Sequence, residues 1–410
     1  MTNSVTVTPA SSLPRSFWTY WLGLLASALG DAVVYVALPF LALGTLPPGS
    51  EKGAAAIGLV VLALSVPRFL APLLGGLADR WPPRTLLGLS AVLRTVGVAG
   101  VGLLALRGAL NLNVVMGLAF VLGLLAALSF TAQSAMVPRL VAPEHLPRAN
   151  SLTSAAMMGA PLVGYGLGGF GVAHWGAGAT LLIGAALVAL LLLGTLTLPP
   201  MPGAASGKLR PLDDFKLSLN VIRQSPLLIA LFAMSFALNF AMNVTNVRAP
   251  LHMLDFGRGA ADYAVFEMLI SGGVLLGIAL VGPLSARFSL DALIGAGRMI
   301  LVVGTAGFAL GGVWPWWAAA GVFGVGLGLL EVAATTRLQG LIPTELRGRV
   351  IGSVMALNAL GLTLGAGLAA RSISTSTLML ALTIVLAGLT LLWPLALRRM
   401  ERLNPSAKLG

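Results

Sequence analysis

A succession of long apolar runs separated by short charged breaks constrains this chain more than any other feature. The runs cover approximately 17–46, 54–74, 86–106, 114–136, 151–172, 177–198, 226–248, 263–284, 292–311, 316–334, 350–370 and 377–397. At ~1.5 Å of rise per residue, about twenty residues cross the ~30 Å hydrocarbon layer of a bilayer. The runs therefore predict twelve transmembrane helices. Composition agrees: 57% of residues are hydrophobic and 9% charged, where a soluble domain carries charge on about a quarter. A membrane barrel needs alternating strands around a polar lumen, and these runs are continuously apolar and rich in Leu, Ala and Gly. Ala26-Ser27-Ala28 resembles a signal-peptide cleavage site, but the apolar run continues past it to Leu46, so the segment reads as the first span.

The net charge of +12 raises nucleic acid as a partner. The basic residues instead cluster at the ends of the runs, without an interleaved aromatic stripe, so no nucleic-acid partner is expected. Of the 25 Lys and Arg, 17 fall in segments on the side of the chain termini, 5 on the opposite side and 3 (Arg68, Arg94, Arg298) inside spans. The positive-inside rule then places both termini in the cytoplasm. Absence of Cys excludes disulfides and thiolate chemistry.

The longest connection on the terminal side, 199–225, divides the spans six and six. We expect a bundle over 1–198, a cytoplasmic linker over 199–225 and a second bundle with a short tail over 226–410. Internal repetition supports this division. Gly75-x-Leu77-Ala78-Asp79-Arg80 aligns with Gly282-x-Leu284-Ser285-Ala286-Arg287, and Arg94 aligns with Arg298. Such offsets suggest a parallel duplication of a six-helix unit.

With Gly75, Leu77, Ala78, Asp79, Arg80 and Arg84 between the second and third spans, the sequence resembles the major facilitator superfamily. Val137-Pro138 and Leu146-Pro147-Arg148-Ala149-Asn150-Ser151 look most like its bacterial exporter branch, which includes enterobactin and multidrug exporters. The resemblance implies an all-α integral membrane protein of two pseudo-symmetric six-helix bundles. It also implies that Asp79 latches the cytoplasmic gate against the start of the eleventh helix, where Arg349 offers a cation. Pro82 and Pro83 depart from the usual middle of the motif and remove two backbone donors. A second partial match, Gly159, Pro161 and Gly164 with Gly166, Gly168 and Gly169, resembles the fifth-helix motif of antiporters, and a bend at Pro161 is expected. Small-residue packing reads the same stretch equally simply.

Charges inside a span cost several kcal/mol by insertion scales and are functional candidates by default. Asp31 and Arg68 lie equally far from the short loop joining the first two spans, so they are expected at one depth and paired. Asp31 is the candidate proton-coupling carboxylate. Asn239 and Asn243 share a face of the seventh span and can line the cavity or bond between helices. Glu267 falls near the outer start of its span, within reach of water, and is a second candidate for proton or cation handling. Arg94 and Arg298 lie ~12 and ~9 Å from the inner ends of theirs and read, with Glu331, as structural charges of the inner half, Glu331 pairing with Arg337 or Arg298. His145, His174 and His252 fall in loops without a partner at ligand spacing, so no metal site is expected.

These features predict a proton-coupled secondary transporter that exports a moderately hydrophobic small molecule by alternating access. It is expected to sit as a monomer in the cell (inner) membrane, without a cofactor, and to draw on the proton gradient. An uptake symporter or uniporter, a sensor and a membrane enzyme are the alternatives. The enzyme fares worst, because the inner loops carry only scattered charges, and no Gly-x-x-x-x-Gly-Lys phosphate loop appears.

Overall fold

The computed structural model describes residues 13–47, 50–67, 81–199, 223, 225–341 and 347–403. Helices account for nearly all of them. They are α1 (Arg15–Leu43), α2 (Gly53–Ser65), α3 (Pro83–Leu106), α4 (Leu112–Leu140) and a helical stretch Leu146–Leu196. Gly176, at φ 78° and ψ 165°, breaks that stretch into α5 before it and α6 after it. Then follow α7 (Pro226–Asp255), α8 (Ala260–Ser285), α9 (Leu290–Gly307), α10 (Val313–Leu341), α11 (Arg347–Ala369) and α12 (Thr375–Leu403). A helix falls in each of the twelve expected spans; among the described residues nine, with the α5–α6 stretch taken as one, are long and apolar enough to cross a membrane. Several run longer than predicted, whereas α2 is described over 13 residues of its run. The loop between the fifth and sixth spans shrinks to Gly176, whose positive φ only glycine adopts without strain.

No shared polar surface surrounds this bundle. On α12, Leu391 is 74% and Ile384 71% exposed, which in water would be a large apolar patch and in lipid is the expected solvent-facing surface. Helix association in lipid cannot draw on the hydrophobic effect, so it depends on close approach of small residues. The α8–α10 contact shows how. A Cβ on Gly273 or Gly277 would strike the α10 backbone, and one on Gly324 or Gly328 would strike the Ile270 or Val274 carbonyl of α8. Four glycines at helical spacing thus let two backbones touch. Between α3 and α4, Ser90 and Ser129 hydroxyls meet at 2.6 Å while Ser90 also donates to the Leu125 carbonyl.

We call the face holding the start of α1 and the end of α12 the terminal face, and its opposite the far face. Several of the described contacts between the first six and last six helices lie towards the far face. Gly58 on α2 would place a Cβ 2.6 Å from that of Ala370, just past α11. Gly169, near the far end of α5, abuts Ala264 and Ala260 at the start of α8, and Gly166 meets Met268. Phe40 of α1 lies 6.0 Å, ring to ring, from Tyr263 of α8. These contacts close the far face.

Candidate functional site

Asp31 sits near the middle of α1, and between Gly23 and Leu43 it is the sole exposed residue. Every other position on that stretch is buried or half-buried, so α1 is an enclosed helix there and Asp31 is its one point of access. Its carboxylate forms an ion pair with the Nη2 of Arg94 on α3. The guanidinium is 5% exposed and the carboxylate 53%, which gives the pair one dry partner and one open to a space that ligand or water can enter. Arg94 lies 11 residues into α3, ~17 Å along its axis. That depth corrects the reading of Arg94 as an inner-end anchor: it belongs to the mid-membrane carboxylate. Arg68, the expected partner of Asp31, lies outside the described residues. The pairing with Arg94 escaped the sequence because α3 is not a neighbour of α1 in chain order, and only the packing of both helices on α6, through Gly30 against Gly184 and Gly102 against Gly178, sets the distance.

A polar strip on α7 runs from this depth towards the far face. Ser235 Oγ donates to Asn358 Oδ1 of α11 at 2.9 Å. Asn239 donates to its own helix, at the Ser235 carbonyl. Asn243 donates to the Leu362 carbonyl of α11 at 2.6 Å and approaches Ser65 Oγ of α2 at 3.4 Å. Asn243 is therefore a bridge between helices, the second of the two roles its spacing allowed. Asn246 is buried, and its Oδ1 has no hydrogen-bond partner. It lines a void of about 20 Å³ together with Tyr35, Ile57 and Tyr263, enough for one water.

Glu267 is placed differently from expectation. Instead of meeting water, it is 2% exposed, because α5 and α1 cover the start of α8. Its Oε1 has no partner, while the side chain bonds Tyr263 one turn earlier. Tyr165 of α5 lies close enough to interact electrostatically, and its ring is 5.7 Å from that of Tyr35 on α1. Two of the chain's four tyrosines thus face one carboxyl at the closed seam, and a third, Tyr35, packs against Tyr165. Sequence reasoning passed over them; their rarity within otherwise aliphatic spans was the available signal.

The remaining charges have local duties. Arg298 is fully buried, donates to the Ala230 carbonyl at 3.0 Å and the Leu389 carbonyl at 3.4 Å, and lies 4.2 Å over the Trp393 ring. It ties α9 to α7 and α12. Arg298→Lys is expected to lower stability by about 2 kcal/mol, since a point ammonium cannot bridge two carbonyls and stack on an indole together. Thermal unfolding in detergent should show the loss, with transport per folded molecule unchanged; unaltered unfolding would contradict the tie. Glu331 is exposed on α10 and pairs with neither expected arginine. Arg337 instead holds Asp291 through two bonds of 3.0 and 3.2 Å.

Arg84, expected at the gate, donates from Nε and Nη2 to the Thr195 and Leu196 carbonyls. It caps the end of α6, where unpaired carbonyls and the negative dipole end attract a cation. Gly75, Asp79 and Arg80, like the Arg349 side chain, lie outside the described residues. In the fifth-helix motif, α5 continues through Pro161 with helical dihedrals. Gly164 packs on Ala32 and Leu29 of α1, whereas Gly159 has open space. His252 lies inside α7 rather than in a loop. It stacks on Trp316 at 4.0 Å and bonds the Gly312 carbonyl. Arg248, also within α7, reaches the Arg371 carbonyl after α11. No metal-ligand cluster occurs among the described residues.

Among the described residues, nine helices long and apolar enough to cross a membrane, with shorter apolar helices beside them, close on one face and hold an accessible ion pair; this defines a polytopic membrane protein. The chain belongs to the Major Facilitator Superfamily, whose profile matches residues 20–366. Among curated proteins it is 28% identical to the MFS-type transporter y4rN of Sinorhizobium fredii over 349 residues, covering 81% of this chain and 83% of that one. It is also 28% identical to the enterobactin exporter EntS of Shigella boydii over 323 residues, 76% and 75% of the two chains. Similar folds include the POT family transporter PepTSo (TM-score 0.75, 12% identity, covering 96% and 99% of the chains). The nucleoside transporter NupG is another (TM-score 0.71, 17% identity, covering 94% and 99%).

Proposed function

We propose that this transporter is a cytoplasmic-membrane exporter, with both termini in the cytoplasm, that exchanges protons for a small, moderately hydrophobic compound such as a drug or siderophore. The observation that carries the reading is the Asp31–Arg94 pair, whose carboxylate is accessible while its arginine is buried. Protonating Asp31 removes the attraction to Arg94, and restoring the charge renews it. A proton and a substrate competing for this one group gives exchange without any further device. The closed far-face seam supports a cycle in which the far face shuts while a cytoplasmic compound reaches Asp31 from the terminal side. The export direction is supported by the similarity to EntS and by the exporter-like segments after α4.

A resistance and uptake screen in cells with and without the protein would supply a substrate. Proteoliposomes then decide the mode. Substrate added outside is expected to drive protons out of the lumen, as antiport requires; protons entering with substrate would mean symport, and no proton movement would overturn coupling.

A further inference from the structure

The Glu267 cluster stands at the far-face seam rather than beside Asp31, and nothing in the exchange described above uses it. On α8 the carboxyl lies one turn from Tyr263, which also lines the one-water void with Tyr35 and Asn246. Tyr165 approaches it from α5. The glycine contacts of Gly166 and Gly169 with α8 flank it along the same seam. Among the described residues these tyrosines are the titratable groups facing it. On the α7 side Asn246 is neutral, and His252 lies behind Trp316 and Phe266.

We propose that Glu267 is a second proton site, distinct from Asp31, that locks the far face. With the seam closed it holds a proton; when α5 and α8 part, water reaches it through the Tyr263–Asn246 void and it releases the proton. The physical reason is that an ionised carboxylate with an unpartnered oxygen in an apolar seam is costly, whereas its neutral form hydrogen-bonded to a tyrosine is tolerated. Separation of the helices removes that cost. Proton uptake therefore drives closure, and each closing of the far face consumes a proton from that side. The proposal rests on the alternating-access reading and adds where the gate itself is protonated.

Spin labels at positions 174 and 258, on the far ends of α5 and beside α8, report the seam directly. In nanodiscs, the long-distance population of the wild type is expected to grow as pH rises. Glu267→Gln, which imitates the protonated side chain, should stay short at every pH, while Asp31→Asn should keep the wild-type response. A Glu267→Gln protein that still opens with rising pH, or a wild type whose distances ignore pH, would overturn the proposal. Should Glu267→Gln fail to accumulate, Tyr263→Phe removes the hydrogen bond and should shift the midpoint of the curve; an unshifted midpoint would overturn it equally. Failure of the exchange reading shows elsewhere, as absent substrate-driven proton movement with this pH response intact.

Discussion

Asp31→Asn is expected to abolish proton-driven transport, leaving less than about a tenth of the wild-type rate, and to destabilise the protein by ~3 kcal/mol. The two effects have separate origins. Loss of transport follows from removing the one carboxylate on α1, whereas loss of stability follows from leaving Arg94, 5% exposed, without its counter-ion. They are therefore separable. Adding Arg94→Gln to Asp31→Asn removes the orphaned charge and should recover most of the thermal stability without recovering transport. Vesicle uptake and thermal unfolding, run on the single and double variants, check both halves. A double variant that transports, or an Asp31→Asn protein of full activity, would contradict the assignment.

The second large effect belongs to the far-face seam. Gly169 has no room for a side chain, with Ala264 and the Ala260 carbonyl of α8 pressed against it. Gly169→Val should act as a wedge between α5 and α8. Overpacking of this kind costs about 1–3 kcal/mol. Because the strain exists only when the seam is closed, it shifts the open-to-closed ratio roughly 5- to 150-fold instead of unfolding the bundle. Transport should fall accordingly, and the population with a long 174–258 distance should rise. Gly159→Ala is the matching control, since nothing lies within 4 Å of its Cβ position; it should behave as wild type. Equal effects at both positions would show that glycine on α5 matters for reasons other than the seam.

The fold was legible because hydrocarbon thickness leaves few options for a chain of apolar runs: twelve spans could be counted without knowing any contact. Boundaries erred where a helix extends beyond the membrane or turns on one residue, as at Asp255 and Gly176. The site was less legible. Depth along a helix can be read from residue number, so Asp31 and Arg298 could be placed approximately, but a partner depends on rotation and on which helices are neighbours. Arg94 and Asp31 are 63 positions apart, on helices whose adjacency the sequence does not encode locally. Glu267 illustrates the same gap, because nearness to a helix end says nothing of the neighbouring helix that covers it. The glycines of α5 were visible as a group, but their division between α1 (Gly164, Gly168) and α8 (Gly166, Gly169) required the packing.

The central claim is that the two faces open in turn around Asp31. Distance distributions for labels at 174 and 258 on the far face and at 148 and 287 on the terminal face, recorded on the same preparations across pH and with substrate, test it most directly. The account predicts opposite changes: conditions that lengthen the far-face distance shorten the terminal-face distance. Two distances that lengthen together, or a terminal face that stays open while the far face parts, would contradict it.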